Sequence, residues 1–164
     1  MLENNIGDML KNNVLFVAIL GLVSLSSCDP SRVFEANKQL AEATWKQNEP
    51  VSIEAEITDT LTYNSIYINV RNKGGYQYSN LFLFIKTTTP KGNVGMDTLE
   101  CTLANPDGKW LGSGLGDIYS NQILFKKNVR FGEKGKYTFD IGQAMRIDPL
   151  TEIMDVGIRI EKAQ

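Results

Sequence analysis

Val51-Ser52-Ile53-Glu54-Ala55-Glu56-Ile57-Thr58 alternates apolar and polar side chains at every step. Successive side chains of an extended chain point to opposite faces, so a period of two predicts a strand with one buried and one wet face. Val51, Ile53, Ala55 and Ile57 take the buried side, and Ser52, Glu54 and Glu56 the wet one. The same period returns downstream, where Ile66, Ile68 and Val70 alternate with Tyr67 and Asn69. Asn72-Lys73-Gly74-Gly75 then carries turn chemistry, because glycine adopts positive φ without steric cost. Residues 81–85 are apolar throughout, which predicts an inner strand. Thr89-Pro90-Lys91-Gly92-Asn93 turns the chain, and residues 96–103 form the next strand. Residues 123–131 and 136–141 follow, with Gly132-Glu133-Lys134-Gly135 between them predicting a hairpin connection. Val156, Ile158 and Ile160 mark the last strand.

No long helical crossover is available to join parallel strands, so the pairing is expected to be antiparallel. The only stretches with a helical look lie in the N-terminal part and at residues 143–147. The fold class is therefore all-β: an antiparallel β-sandwich, jelly-roll or immunoglobulin-like, of about seven to eight strands. It is expected to occupy residues 46–164.

A chain of 164 residues is one domain's worth of material. Hydrophobic residues at 42% with charged residues at 22% exclude a disordered chain. A net charge of −2 excludes nucleic acid as a partner, since phosphate neutralisation dominates that binding. The sequence contains no histidine, which removes the side chain that titrates nearest neutrality. Ser-His-Asp and Cys-His catalysis are thereby impossible, and two cysteines without histidine cannot close a zinc shell. A non-catalytic protein with no cofactor and no metal is the expectation. Glu54 and Glu56 share one strand face and are explained by solvation, whereas glycosidase chemistry needs carboxylates across a cleft.

Ahead of the strands, Val14 to Val23 form an apolar run preceded by Lys11, Asn12 and Asn13. The run is short of the roughly 20 residues needed to span a bilayer and reads as a signal-peptide core. Leu25-Ser26-Ser27-Cys28 then resembles the lipobox of bacterial lipoproteins. The resemblance implies cleavage before Cys28, a diacylglyceryl group on its sulfur and acylation of the new amino terminus. More than one acyl chain gives stable anchoring where a single chain is marginal. The bland alternative is a buried helix with a coincidental cysteine. Residues 1–27 are thus read as signal peptide, with residues 1–8 an over-extended start because Glu3 and Asp8 are out of place in a leader. Residues 28–45 are read as a lipidated, semi-ordered tether. With Cys28 acylated, Cys101 has no disulfide partner and is expected to be a buried, inert thiol.

Residues 104–119 stand apart. Asn105-Pro106-Asp107-Gly108 is a turn signal, and Gly112, Gly114 and Gly116 follow Trp110 at every second position. The spacing fits neither a dinucleotide fingerprint nor a phosphate loop. Three readings stand side by side. The glycines let a long inter-sheet loop pack flat while Trp110 plugs the core; or Trp110, Asp117 and Tyr119 form a partner-binding patch; or Asn105, Asp107 and Asp117 offer oxygens to calcium or a sugar.

At this loop the sequence resembles a known family. Cys28-Asp29-Pro30, Tyr78-Ser79-Asn80-Leu81-Phe82-Leu83-Phe84, Asp97-Thr98-Leu99-Glu100-Cys101 and above all residues 107–119 are similar to the gliding-motility lipoproteins GldH of the Bacteroidetes. Tyr137-Thr138-Phe139 and Met154-Asp155-Val156-Gly157-Ile158-Arg159 continue the match. The resemblance implies a cell-envelope lipoprotein, held at a membrane by the lipid on Cys28, with the outer membrane favoured and the leaflet open. It implies partnership with other gliding-motility lipoproteins or envelope proteins, and brings no catalytic residues. Two other functions compete. A surface glycan-binding sandwich would use Tyr63, Tyr67, Tyr76 and Tyr78 as a stacking platform, and a histidine-free hydrolase would need two facing carboxylates. Intact-mass analysis of the chain expressed in a bacterial host is expected to show a species beginning at Cys28 and carrying acyl chains. Cys28→Ser is expected to leave it unprocessed and free of lipid.

Overall fold

The computed structural model describes residues 29–163, and a compact unit begins at Ser31. The predicted signal peptide and the lipidation site Cys28 lie outside the described residues. Ten strands run in chain order: β1 (Arg32–Gln39), β2 (Thr44–Trp45), β3 (Val51–Ile57), β4 (Asn64–Lys73), β5 (Asn80–Thr88), β6 (Val94–Thr102), β7 (Ile118–Val129), β8 (Gly135–Gln143), β9 (Leu150–Thr151) and β10 (Ile153–Lys162). The excess over the predicted seven to eight comes from the two-residue strands β2 and β9 and from β1. Residues 41–43 make one 3-10 turn, and residues 143–147 finish β8 and bend without forming a helix.

Two four-stranded sheets, ordered β1-β10-β4-β7 and β3-β8-β5-β6, pack as a sandwich, and every pairing is antiparallel. The pairs nest around the turn at residues 89–93: β5 with β6, β4 with β7, β3 with β8, β2 with β9 and β1 with β10. The chain is one long hairpin rolled so that β10 also meets β4 and β8 also meets β5. This connectivity is a jelly roll and not an immunoglobulin sandwich. At the central turn Thr89 N donates to Asn93 O at 2.9 Å and Gly92 takes φ +85°, a conformation that favours glycine.

The core follows the predicted alternation. Val51, Ile53, Ala55 and Ile57 from β3 face Ile66, Ile68 and Val70 from β4 and Val156, Ile158 and Ile160 from β10 across the layer, all buried. Residues 81–85 do lie on an inner strand, β5, with Leu81, Leu83 and Ile85 buried. Phe82 and Phe84 point out of the other face. Cys101 is free and fully buried, and desolvation pushes its thiol up to about 12.

Two expectations are corrected. The stretch 28–45 is not a tether beyond Ser31: β1 pairs with β10 from Arg32↔Glu161 to Gln39↔Asp155, and Trp45 is among the largest fully buried side chains. The domain therefore begins well before residue 46. β1 looks polar because it is an edge strand whose outward Glu35, Asn37 and Gln39 face solvent while Phe34 and Ala36 pack on the core. The stretch 132–135 is not a hairpin. β7 and β8 belong to different sheets, and Phe131 turns into the core against Tyr137, ring centroids 4.9 Å apart, carrying the chain from one layer to the other.

Ile158→Ala, in the middle of the β1-β10-β4-β7 sheet, is expected to lower unfolding stability by about 2–5 kcal/mol in urea titrations. Phe84→Ala, on the outer face, is expected to change it by no more than about 0.5 kcal/mol.

Candidate functional site

The connection from β6 to β7, residues 103–117, leaves one layer and enters the other at the end of the sandwich where β4 finishes and β5 starts. Its first part is a closed turn. Asn105 N donates to Lys109 O at 2.9 Å, Gly108 N to Asn105 O at 2.9 Å, and the Asn105 Oδ1 accepts from Lys109 N at 2.8 Å. Gly108 sits at φ +78°. The bridge Ala104↔Trp110 and the bond from Leu111 N to Leu103 O then set Trp110 over the end of the core.

The second part lies flat on β7. Ser113 and Ser120 exchange two backbone hydrogen bonds, at 3.0 and 2.7 Å. A Cβ on Gly112 would stand 2.8 Å from Asn121 Oδ1 and 2.9 Å from Ser120 O, and one on Gly114 only 1.7 Å from Ile118 O. Gly112 and Gly114 are thus close-approach positions, as the flat-packing reading supposes, whereas Gly116 has open space around it and takes φ +67°. Asp117 closes the loop: Gly74 N donates to both its backbone O at 2.9 Å and its Oδ1 at 3.1 Å. Gly74 is required here for room and not for a positive φ, since its Cβ would lie 2.1 Å from Asp117 Oδ1.

Four rings form a row across this end. Tyr119 stacks on Trp110 at 5.6 Å, Trp110 meets Tyr76 at 6.3 Å, and Tyr76 meets Tyr78 edge-on at 5.6 Å. Such pairs contribute about 0.5–1.5 kcal/mol each beyond the area they bury. Tyr76 is buried, with its hydroxyl donating to Asn80 O at 3.0 Å, and desolvation pushes its pKa far up. Past Tyr78 the row opens into an apolar groove of about 580 Å³ lined by Tyr78, Phe82, Ala144, Met145 and Ile147, with Arg146 at its rim.

The structure brings Trp110, Asp117 and Tyr119 together: the two rings pack on each other at a tilt, and Asp117, itself exposed, accepts from Gly74 in the turn after β4. The groups left outward are Leu111, 58% exposed, Leu115, 92% exposed, and Ile147, 50% exposed. Only Leu115 carried a signal in the sequence, an apolar residue between Gly114 and Gly116 where a packed loop would otherwise carry a polar side chain. Asn105 caps its own turn, and among the described residues no three Asp, Glu or Cys side chains gather as a cation site would need. The four tyrosines of the glycan-platform reading are dispersed. Tyr63 precedes β4 and Tyr76 follows it, about 30 Å apart along a ten-residue strand, and Tyr76 has no exposed face. Glu54 and Glu56 are exposed, with Lys136 Nζ 3.0 Å from Glu54.

Residues 32–160 match the family model described as GldH lipoprotein. The gliding motility lipoprotein GldH homolog of Christiangramia forsetii is 40% identical over 156 residues, covering 91% of this chain and 95% of the relative. The gliding motility lipoprotein GldH of Flavobacterium johnsoniae is 36% identical over 153 residues, covering 89% of this chain and 94% of that protein. Among solved structures, the complex of Aeromonas sobria serine protease with its chaperone matches with a TM-score of 0.35 at 15% identity, over 88% of this chain and 29% of that one. The Yersinia pseudotuberculosis-derived mitogen matches at 0.33 and 8% identity, over 80% and 87%. Scores this low support no functional argument.

Gly114→Ala is expected to lift the loop from β7 and cost about 1–3 kcal/mol, read by thermal unfolding and by faster proteolysis within residues 111–117. Gly95→Ala, whose Cβ would meet nothing within 4 Å, is the comparison expected to behave as wild type.

Proposed function

The chain belongs to the GldH lipoprotein family, and we propose that it is a non-catalytic, lipid-anchored envelope protein whose β-sandwich holds a protein partner of gliding motility or associated envelope machinery. The observation that carries this is apolar exposure at one end of the jelly roll: Leu111 and Leu115 on the loop, and at the same end the groove lined by Tyr78, Phe82 and Ile147. Apolar area of this kind costs hydration energy unless a partner covers it. Rigid rings flanked by exposed leucines supply large contact area with little entropy to lose.

The direction of β1 supports an outward-facing role for that end. Cys28 precedes Ser31 by three residues in the sequence, and Ser31 O accepts from Lys162 N at 2.8 Å where β1 begins. β1 then runs eight residues, about 26 Å, toward the opposite end, where Gln39 pairs with Asp155. The loop and the apolar groove are at that opposite end, because Lys73↔Ile118 closes the β4–β7 ladder there and Ala144 N donates to Phe82 O beside it. An acyl anchor on Cys28, set in the outer membrane, would hold the sandwich by one end and offer the other to neighbouring envelope proteins.

Photo-crosslinking groups placed at Leu115 and Ile147 in cells are expected to capture the same partner, and one placed at Val94, on the other end, to capture none. Leu111→Asp combined with Leu115→Asp is expected to reduce partner recovery by about tenfold, equal to about 1.4 kcal/mol, with unchanged thermal stability. Equal recovery with the folded double variant would overturn the assignment.

A further inference from the structure

The outward face of the β1-β10-β4-β7 sheet carries a second feature, independent of the apolar end. A groove of about 540 Å³ lies on it, within the range of small-ligand sites. The strand register lays this face out in rows, Asn37, Gly157, Asn69 and Gln122 beside Gln39, Asp155, Arg71 and Ser120, and the groove runs over the side chains of these rows from Glu35 to Ser120. The first of these rows is depressed at Gly157. A Cβ there would fall 1.9 Å from Asn37 Oδ1 and 2.5 Å from Ala36 O, so the Asn37 amide lies where a side chain would otherwise stand. One wall is Ser113, held against Ser120 by the close approach of Gly112 and Gly114. The same glycine-spaced segment that marks the sequence thus builds the groove.

The charges in the groove are matched internally. Glu35 accepts from Arg159 Nη1 at 2.8 Å, Asn69 Nδ2 at 2.9 Å and Arg32 Nη1 at 3.3 Å, and the nearly buried Asp155 pairs with Arg71. An anion finds no uncompensated cation here, and a cation finds no unmatched carboxylate. What remains is neutral. The Asn37 amide nitrogen, the Gln39 amide and the Ser113 and Ser120 hydroxyls make no hydrogen bond to the described residues, and Gln122 reaches Glu161 only at 3.5 Å. Amides and hydroxyls offer donors and acceptors side by side, which complements a ligand whose hydroxyls both give and take hydrogen bonds. Asn69 Nδ2 also donates to Asn37 Oδ1 at 3.1 Å, so the central amides are oriented before any ligand arrives.

We propose that this groove binds a short, neutral oligosaccharide. The site binds without cleaving, because its carboxylates are committed to arginines on the sheet itself. The proposal stands apart from the protein-partner reading, since it uses a sheet face and not the apolar end.

The test is NMR titration of the full chain in detergent micelles, isotope-labelled on nitrogen, with maltotetraose, chitotetraose and mannotetraose, together with a glycan array of neutral and acidic bacterial and algal glycans. The side-chain amide signals of Asn37, Asn69 and Gln122 are expected to shift with at least one neutral glycan, and affinity to be insensitive to salt. Gln39→Ala with Gln122→Ala, both on exposed positions, is expected to weaken binding about tenfold through two lost hydrogen bonds at unchanged thermal stability. Gly157→Ala is expected to abolish the shifts. Absence of binding across titrations and array, binding confined to acidic glycans with strong salt dependence, or affinity unmoved by the folded double variant would each overturn the proposal. So would a protein crosslinked across this face in cells without glycan binding.

Discussion

The nested antiparallel pairing around residues 89–93 is the constraint on which the rest of the molecule depends. Strands on either side of that turn pair in order outward, from β5 with β6 to β1 with β10. A two-stranded ribbon is marginal in water, because each strand's apolar row has nothing to cover it. Rolling the ribbon brings β10 against β4 and β8 against β5, and the rows from the two resulting sheets then cover each other. The two short strands β2 and β9 take part in the same order, and through them Trp45 and Leu150 enter the core.

Rolling also makes the two ends of the sandwich unlike. One end receives β1 and releases β10, with Ser31 and Lys162 hydrogen-bonded to each other. The other must carry the chain from β6 to β7 across the layers, and the sequence spends a long loop on it. That loop adheres because Gly112 and Gly114 let backbone meet backbone on β7, and because Asp117 satisfies the Gly74 amide. Rings at 76, 78, 110 and 119 seal the end of the core beneath it. Leu111 and Leu115 are what such a flat loop cannot turn inward. Exposure there follows from the packing, and leaves that end with apolar side chains in contact with water.

The outward face of the β1-β10-β4-β7 sheet obeys a different balance. Its acids are met by arginines, Glu35 by Arg159 and Asp155 by Arg71 across neighbouring strands and Glu161 by Arg159 along β10. Burial works to raise the pKa of Glu35, yet hydrogen bonds from Arg32 and Asn69 and the charge and hydrogen bond of Arg159 outweigh it and hold the carboxyl below its ordinary value. The face therefore stays ionised but locally neutral, and its amides and hydroxyls define its chemistry.

By itself the sequence determined the local properties. Alternation at 51–57 and 66–70 fixed which residues face inward, the apolar run 81–85 placed an inner strand, and the missing histidines excluded the Ser-His-Asp and Cys-His arrangements. Residues 107–119 pointed to the family for the same reason, since a spacing of glycines around Trp110 is readable in one dimension. Only the tertiary structure decided which strand lies beside which. Strand periodicity is a property of one segment, whereas pairing depends on rows more than a hundred residues apart, as Arg32 with Glu161. That is why β1 looked like a polar tether and residues 132–135 like a hairpin. An edge strand needs only one apolar row, and a glycine-flanked link is locally the same whether it stays in a sheet or crosses between two. The groove was illegible for the same reason: Asn37, Asn69, Gln122 and Gly157 become neighbours only when four strands of one sheet are laid side by side.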